Sequence, residues 1–108
     1  MEEKNVILLE IVVSGNGVLQ PSQLKQLVQT VSSQLPPEKF GTEGVVVSGR
    51  LPVWAYGALI HALHPFAWVG TFEPRLGKAV VVASHVPDVN VGDVVDIVNT
   101  RRITVTFP

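Results

Sequence analysis

Three short parts of this chain carry side chains able to do chemistry on an anion. Ser48-Gly49-Arg50 sets a hydroxyl, a glycine and a guanidinium at the end of an apolar run. Glu73-Pro74-Arg75 sets a carboxylate and a second guanidinium in a turn, and His61, His64 and His85 supply imidazoles. Free amide N–H groups just before a helix favour an anion, and the helix dipole adds to the effect. Glycine lets backbone approach a ligand closely, and arginine can fork onto a phosphate. Histidine moves protons near neutral pH. Each group also has an ordinary reading. Ser48 can simply cap a helix, Glu73 and Arg75 can be a solvated turn, and His61 and His64 can complement the carboxyl end of a helix dipole.

The elements that must position these groups follow from periodicity. Asn5 to Val13 is a run of Val, Ile and Leu that suits a mostly buried strand. After the turn Ser14-Gly15-Asn16-Gly17, Pro21-Ser22 opens a helix with Leu24, Leu27, Val28, Val31 and Leu35 on one face, and Pro36-Pro37 stops it. Gly44 to Val47 is a second apolar strand. Pro52 is expected to be the first residue of a helix running to about Leu63. Phe66 to Phe72 and Ala79 to Ala83 read as third and fourth strands, and Asp93 to Val98 with Arg102 to Phe107 as a hairpin about Asn99-Thr100. The expected fold is α/β: a single Rossmann-like domain over residues 1–108, a mixed sheet with two main helices and a C-terminal hairpin.

That arrangement splits the candidate groups between two ends of the sheet. If the second and third strands are parallel through a right-handed crossover, Glu73 and Arg75 arrive beside Ser48. His64 lies a helix length away, ~18 Å from the helix start, and an antiparallel fourth strand brings His85 to the same end. Spacing alone therefore keeps His64 from an anion held at Ser48 in the same chain, and a second chain is needed to supply it.

Composition narrows the partners. The 108 residues are 46% apolar and only 16% charged, so part of the surface is expected to meet another copy. The second helix is apolar nearly all round, which suits core or a partner surface. A net charge of −1 excludes the broad basic coat needed for duplex DNA. There is no cysteine, hence no disulfide or thiolate metal site. No apolar run is long enough to span a bilayer, and the charged start opens straight into a strand pattern, so no signal peptide is expected. The expectation is a cytoplasmic protein without a membrane partner.

Gly44-Val-Val-Val-Ser-Gly-Arg50 with Pro52 and Trp54, then Phe72-Glu-Pro-Arg-Leu-Gly77, then Val80-Val-Val-Ala-Ser-His85 followed by Gly92-Asp93-Val94, together with His61 and His64, resemble one family in order and spacing. This is the small CRISPR-associated ring nucleases of type III systems, a distant branch of the CARF superfamily. The resemblance covers about Gly44 to Asp96.

It implies a CARF-like homodimer that binds cyclic tetra-adenylate, or a short RNA. The dimer cleaves the ring to linear oligoadenylate with manganese and so switches off the defence signal. It also implies ligand-induced stacking of two dimers about the ring, with His64, Glu73 and Arg75 as catalytic groups. Ser48, Gly49, Arg50 and Arg75 would hold the ligand, and Glu73 with His64 the Mn2+. Chemically, the arginines would stabilise charge on the phosphate and His64 would shuttle a proton. The family pattern has Asp where this chain has Glu73. The extra methylene moves the carboxylate, and displacement of about an ångström can cost ~100-fold in rate. A binder or sensor of the same ligand without turnover is the alternative, and a plain interaction module docking through the second helix is a third.

Overall fold

In a computed structural model of the chain, the residues described are 6–98 and 100–108. Asn5, expected to start the first strand, and Asn99, expected in the hairpin turn, lie outside them. Six strands, β1 (Val6–Val13), β2 (Gly44–Ser48), β3 (Trp68–Glu73), β4 (Lys78–Ser84), β5 (Val94–Val95) and β6 (Arg101–Phe107), form one sheet in the order β5-β4-β3-β2-β1-β6. β1, β2 and β3 are parallel neighbours, β4 is antiparallel to β3, and β5 is antiparallel to β4. The fold is the expected α/β domain with a mixed sheet and two helices, α1 (Leu24–Ser33) and α2 (Val53–Ala62).

The strands read as unbroken apolar runs because both faces of the sheet are covered. Ile7, Leu9, Ile11, Val45, Val47 and Val69 point to the side of the helices, where they meet Leu27 and Val31 of α1 and Ala55 and Leu59 of α2. Val6, Leu8, Val46 and Trp68 point to the other side. Among the described residues no helix covers that second face; Val86 and Val89, from the loop after β4, and Ile97 pack on it instead. α1 begins after one 3₁₀ turn, where the Gln20 N–H donates to the Gln23 side-chain oxygen (2.8 Å), and Pro36-Pro37 ends the segment. Pro52 stands just outside α2 rather than opening it. Its carbonyl accepts the N–H groups of Ala55 and Tyr56, an arrangement that leaves the proline's missing donor without consequence.

The C-terminal hairpin is a correction. β5 and β6 lie at opposite edges of the sheet, and β6 runs parallel to β1. Side-chain burial accounts for the difference. Beside β1, Val105 and Phe107 enter the core under α1, both 2% exposed or less. A hairpin on β5 would leave them at the far edge of the sheet. Ile97, which follows β5, packs on the helix-free face against the cluster containing Trp68.

That face depends on a missing side chain. Gly44 is paired with Trp68, and a Cβ at Gly44 would fall inside the Trp68 indole. A Cβ at Gly57, in the middle of α2, would meet nothing within 4 Å. The same substitution should therefore act with opposite signs. Gly44→Ala is expected to destabilise by about 1–3 kcal/mol through overpacking, whereas Gly57→Ala should stabilise by roughly 0.5–1 kcal/mol. Urea denaturation midpoints check this, and shifts of one sign for both variants would contradict the packing described.

Candidate functional site

The parallel strands place their carboxyl ends together, and the loop from β2 to α2 crosses the end of β1. Gly49 sits so close to β1 that a Cβ would lie 2.5 Å from the Ile11 carbonyl oxygen, so the residue there has to be glycine. From above, the Tyr56 hydroxyl on α2 donates to the Gly49 carbonyl at 2.7 Å. Burial raises the pKa of this phenol above its ordinary value, and the bond to Gly49 opposes that rise. Tyr56 therefore stays protonated at neutral pH and remains a donor.

Around this loop is an open cavity of about 600 Å3. Val53, Tyr56, Phe72 and Pro74 give it apolar walls, while Ser48 and Thr71 supply hydroxyls and Arg50 a cation. Arg50 is exposed and, among the described residues, has no ion-pair partner. An unpaired guanidinium over an apolar cleft suits a ligand that combines a flat ring with a phosphate.

Glu73 and Arg75 reach the edge of this site by register, since Val47 of β2 pairs with Thr71 of β3. The cavity takes Phe72 and Pro74 from that turn but neither Glu73 nor Arg75. The Glu73 carboxylate turns back on its own loop and accepts the Arg75 N–H at 2.9 Å, and the Glu73 carbonyl accepts the N–H groups of Leu76 and Gly77. Arg75 is exposed.

The imidazoles gather at the other end of the sheet. His61 and His64 have ring centroids 6.4 Å apart, and His64 and His85 meet edge to face at 6.1 Å. The His85 N–H donates to the Ala67 carbonyl at 2.9 Å, which ties the end of β4 to the start of β3. His64 precedes β3 and Glu73 ends it, so one chain does not bring the two onto one ion. Among the described residues no three His, Asp or Glu side chains gather to hold a metal.

Tyr56 is the site residue that the helical pattern concealed. Within an all-apolar helix it reads as packing, and only its place one turn after Pro52 hints that its hydroxyl faces the preceding loop.

Residues 12–96 match the family model described as CRISPR-associated protein (Cas_csx3). An uncharacterized protein of Aquifex aeolicus (strain VF5) is 53% identical over 64 residues, which cover 56% of this chain and 58% of the relative. The matched region contains both turns at the cavity, all three histidines and the whole of α2. The chain belongs to the Cas_csx3 family of CRISPR-associated proteins.

Proposed function

We propose that the protein binds cyclic tetra-adenylate at the cavity around Ser48-Gly49-Arg50 and opens the ring to linear oligoadenylate. The observation that supports this most is Arg50, without an ion-pair partner among the described residues, on an apolar cleft at the carboxyl ends of parallel strands, in a member of a CRISPR-associated family. Ligands of open α/β sheets bind at this end. The nearby aromatic and aliphatic walls suit adenine, and Arg50 with the loop amides suits a phosphate.

Ring opening needs a ribose 2′-oxygen to form a bond to the adjacent phosphorus while the bond to the 5′-oxygen breaks. One proton leaves the 2′-hydroxyl and another arrives on the departing oxygen. Histidine suits this traffic at neutral pH, and His64 with His85 beside it is the proposed shuttle. Since these stand at the end of the sheet opposite Arg50, the reading requires a second chain to face the ligand, within a stack of two homodimers. Trp54, 37% exposed on α2 and outside the cavity lining, is the proposed centre of the pairing surface. A manganese ion would have to draw ligands from two chains and from the ring, and no step is assigned to it.

The second reading, a binder without turnover, is favoured by one observation. The Glu73 carboxylate is engaged with its own turn instead of the cavity.

Incubation with labelled ring and manganese separates the readings: linear products are expected, and bound but unchanged ring would leave only the binder. Arg50→Ala should weaken binding about ten- to a hundredfold, the loss of one charge-assisted contact of about 1.5–3 kcal/mol. Unchanged affinity by titration calorimetry would place the ligand elsewhere. His64→Ala and Glu73→Ala should each be nearly inactive alone. Mixed, they are expected to recover part of the wild-type rate, increasingly so at higher protein concentration. A mixture as inactive as its components, with both variants still binding the ring, would contradict a site shared between chains.

A further inference from the structure

Beside the proposed site lies a second cavity, to which the reading above gives no role. It opens at the carboxyl ends of β1 and β2, measures about 460 Å3, and shares Ser48, Gly49 and Arg50 with the first. Its other side is built by Glu10, Val12, Val13 and the turn at Asn16. The volume falls within the ~300–1,000 Å3 typical of small-molecule sites.

The sheet register explains its chemistry. Glu10 pairs with Ser48 on one side and Thr104 on the other, so three polar side chains stand in a row on the face away from the helices. Arg102 Nε lies 3.3 Å from Glu10 Oε1, and Thr104 Oγ1 donates to the same oxygen at 3.5 Å. Among the described residues both contacts fall on Oε1, which leaves Oε2 to accept from a ligand. Asn16 is oriented as well: its Oδ1 accepts the Val18 N–H at 3.0 Å, which turns its amide hydrogens elsewhere. An ionised carboxylate only accepts hydrogen bonds and repels phosphate. Glu10 therefore selects a hydroxyl or amine donor, while the cation at the shared wall selects an anion. Val12, half exposed, offers an apolar surface between them.

We infer that this cavity is a ribonucleoside subsite in which Glu10 Oε2 accepts a hydrogen bond from a ribose 2′-hydroxyl. Each chain then holds two neighbouring nucleotides astride Arg50, and a two-fold pair of chains offers four such places, one for each adenylate of a four-membered ring. The inference rests on the reading that a phosphate of the ring sits at Arg50, and it adds a specificity residue to that reading. The 2′-hydroxyl is the group by which a protein tells RNA from DNA.

The test compares cyclic tetra-adenylate with its all-2′-deoxy counterpart by titration calorimetry in the presence of a chelator. Wild type is expected to bind the ribose ring at least about tenfold more tightly. Glu10→Ala should abolish that preference by weakening the ribose ring alone, with the deoxy ring unaffected. If Glu10→Ala does not fold, Glu10→Gln keeps the shape and should lose several-fold in affinity for the ribose ring only. No preference in wild type, a preference that survives substitution, or an equal loss for both rings would overturn the Glu10 role and leave ring binding itself standing. Failure of wild type to bind either ring would overturn the functional reading, and this inference with it.

Discussion

The candidate site depends on one close approach of backbone to backbone. The loop after β2 lies on β1 at Ile11, where only a glycine fits, and the Tyr56 hydroxyl fastens the Gly49 carbonyl from α2. Strand, loop and helix are thereby locked together. Ser48 and Arg50 flank the glycine and form a ridge with a cavity on each side. A loop held at two points has little freedom to lose when a ligand binds, so more of the contact energy with a phosphate is kept as affinity.

The same sheet that builds this ridge separates it from the histidines. β3 spans the distance between the His64 end and the Glu73 turn. Under the proposed function, the protein therefore has two half-sites facing opposite ways. Assembly about the ring is then part of the chemistry rather than an addition to it. The low charge content and the exposed Trp54 are the features on which that proposed self-contact rests.

Much of this was readable from residue pattern. The apolar runs at Asn5 to Val13 and Gly44 to Val47, with an amphipathic helix between them, mark a Rossmann-like first half, and a right-handed crossover between the second and third strands puts Glu73 and Arg75 beside Ser48. Three features were not readable. β6 carries a strand pattern but nothing local that names its neighbour, and its place beside β1 is decided by burial of Val105 and Phe107 under a distant helix. The Tyr56 bond joins residues seven apart through a loop conformation that propensity does not encode. The second cavity needs Glu10 to be set beside Ser48 and Thr104, which is a matter of register across three strands.

The central claim is that the ligand seats on the loop between β2 and α2, and amide hydrogen exchange reads that loop directly. With cyclic tetra-adenylate bound, the amides of Gly49, Arg50, Leu51 and Val53 should exchange more slowly, because they lose water to the phosphate and to the closed cavity. Unchanged exchange in that loop, together with saturating binding and protection elsewhere in the chain, would contradict the account.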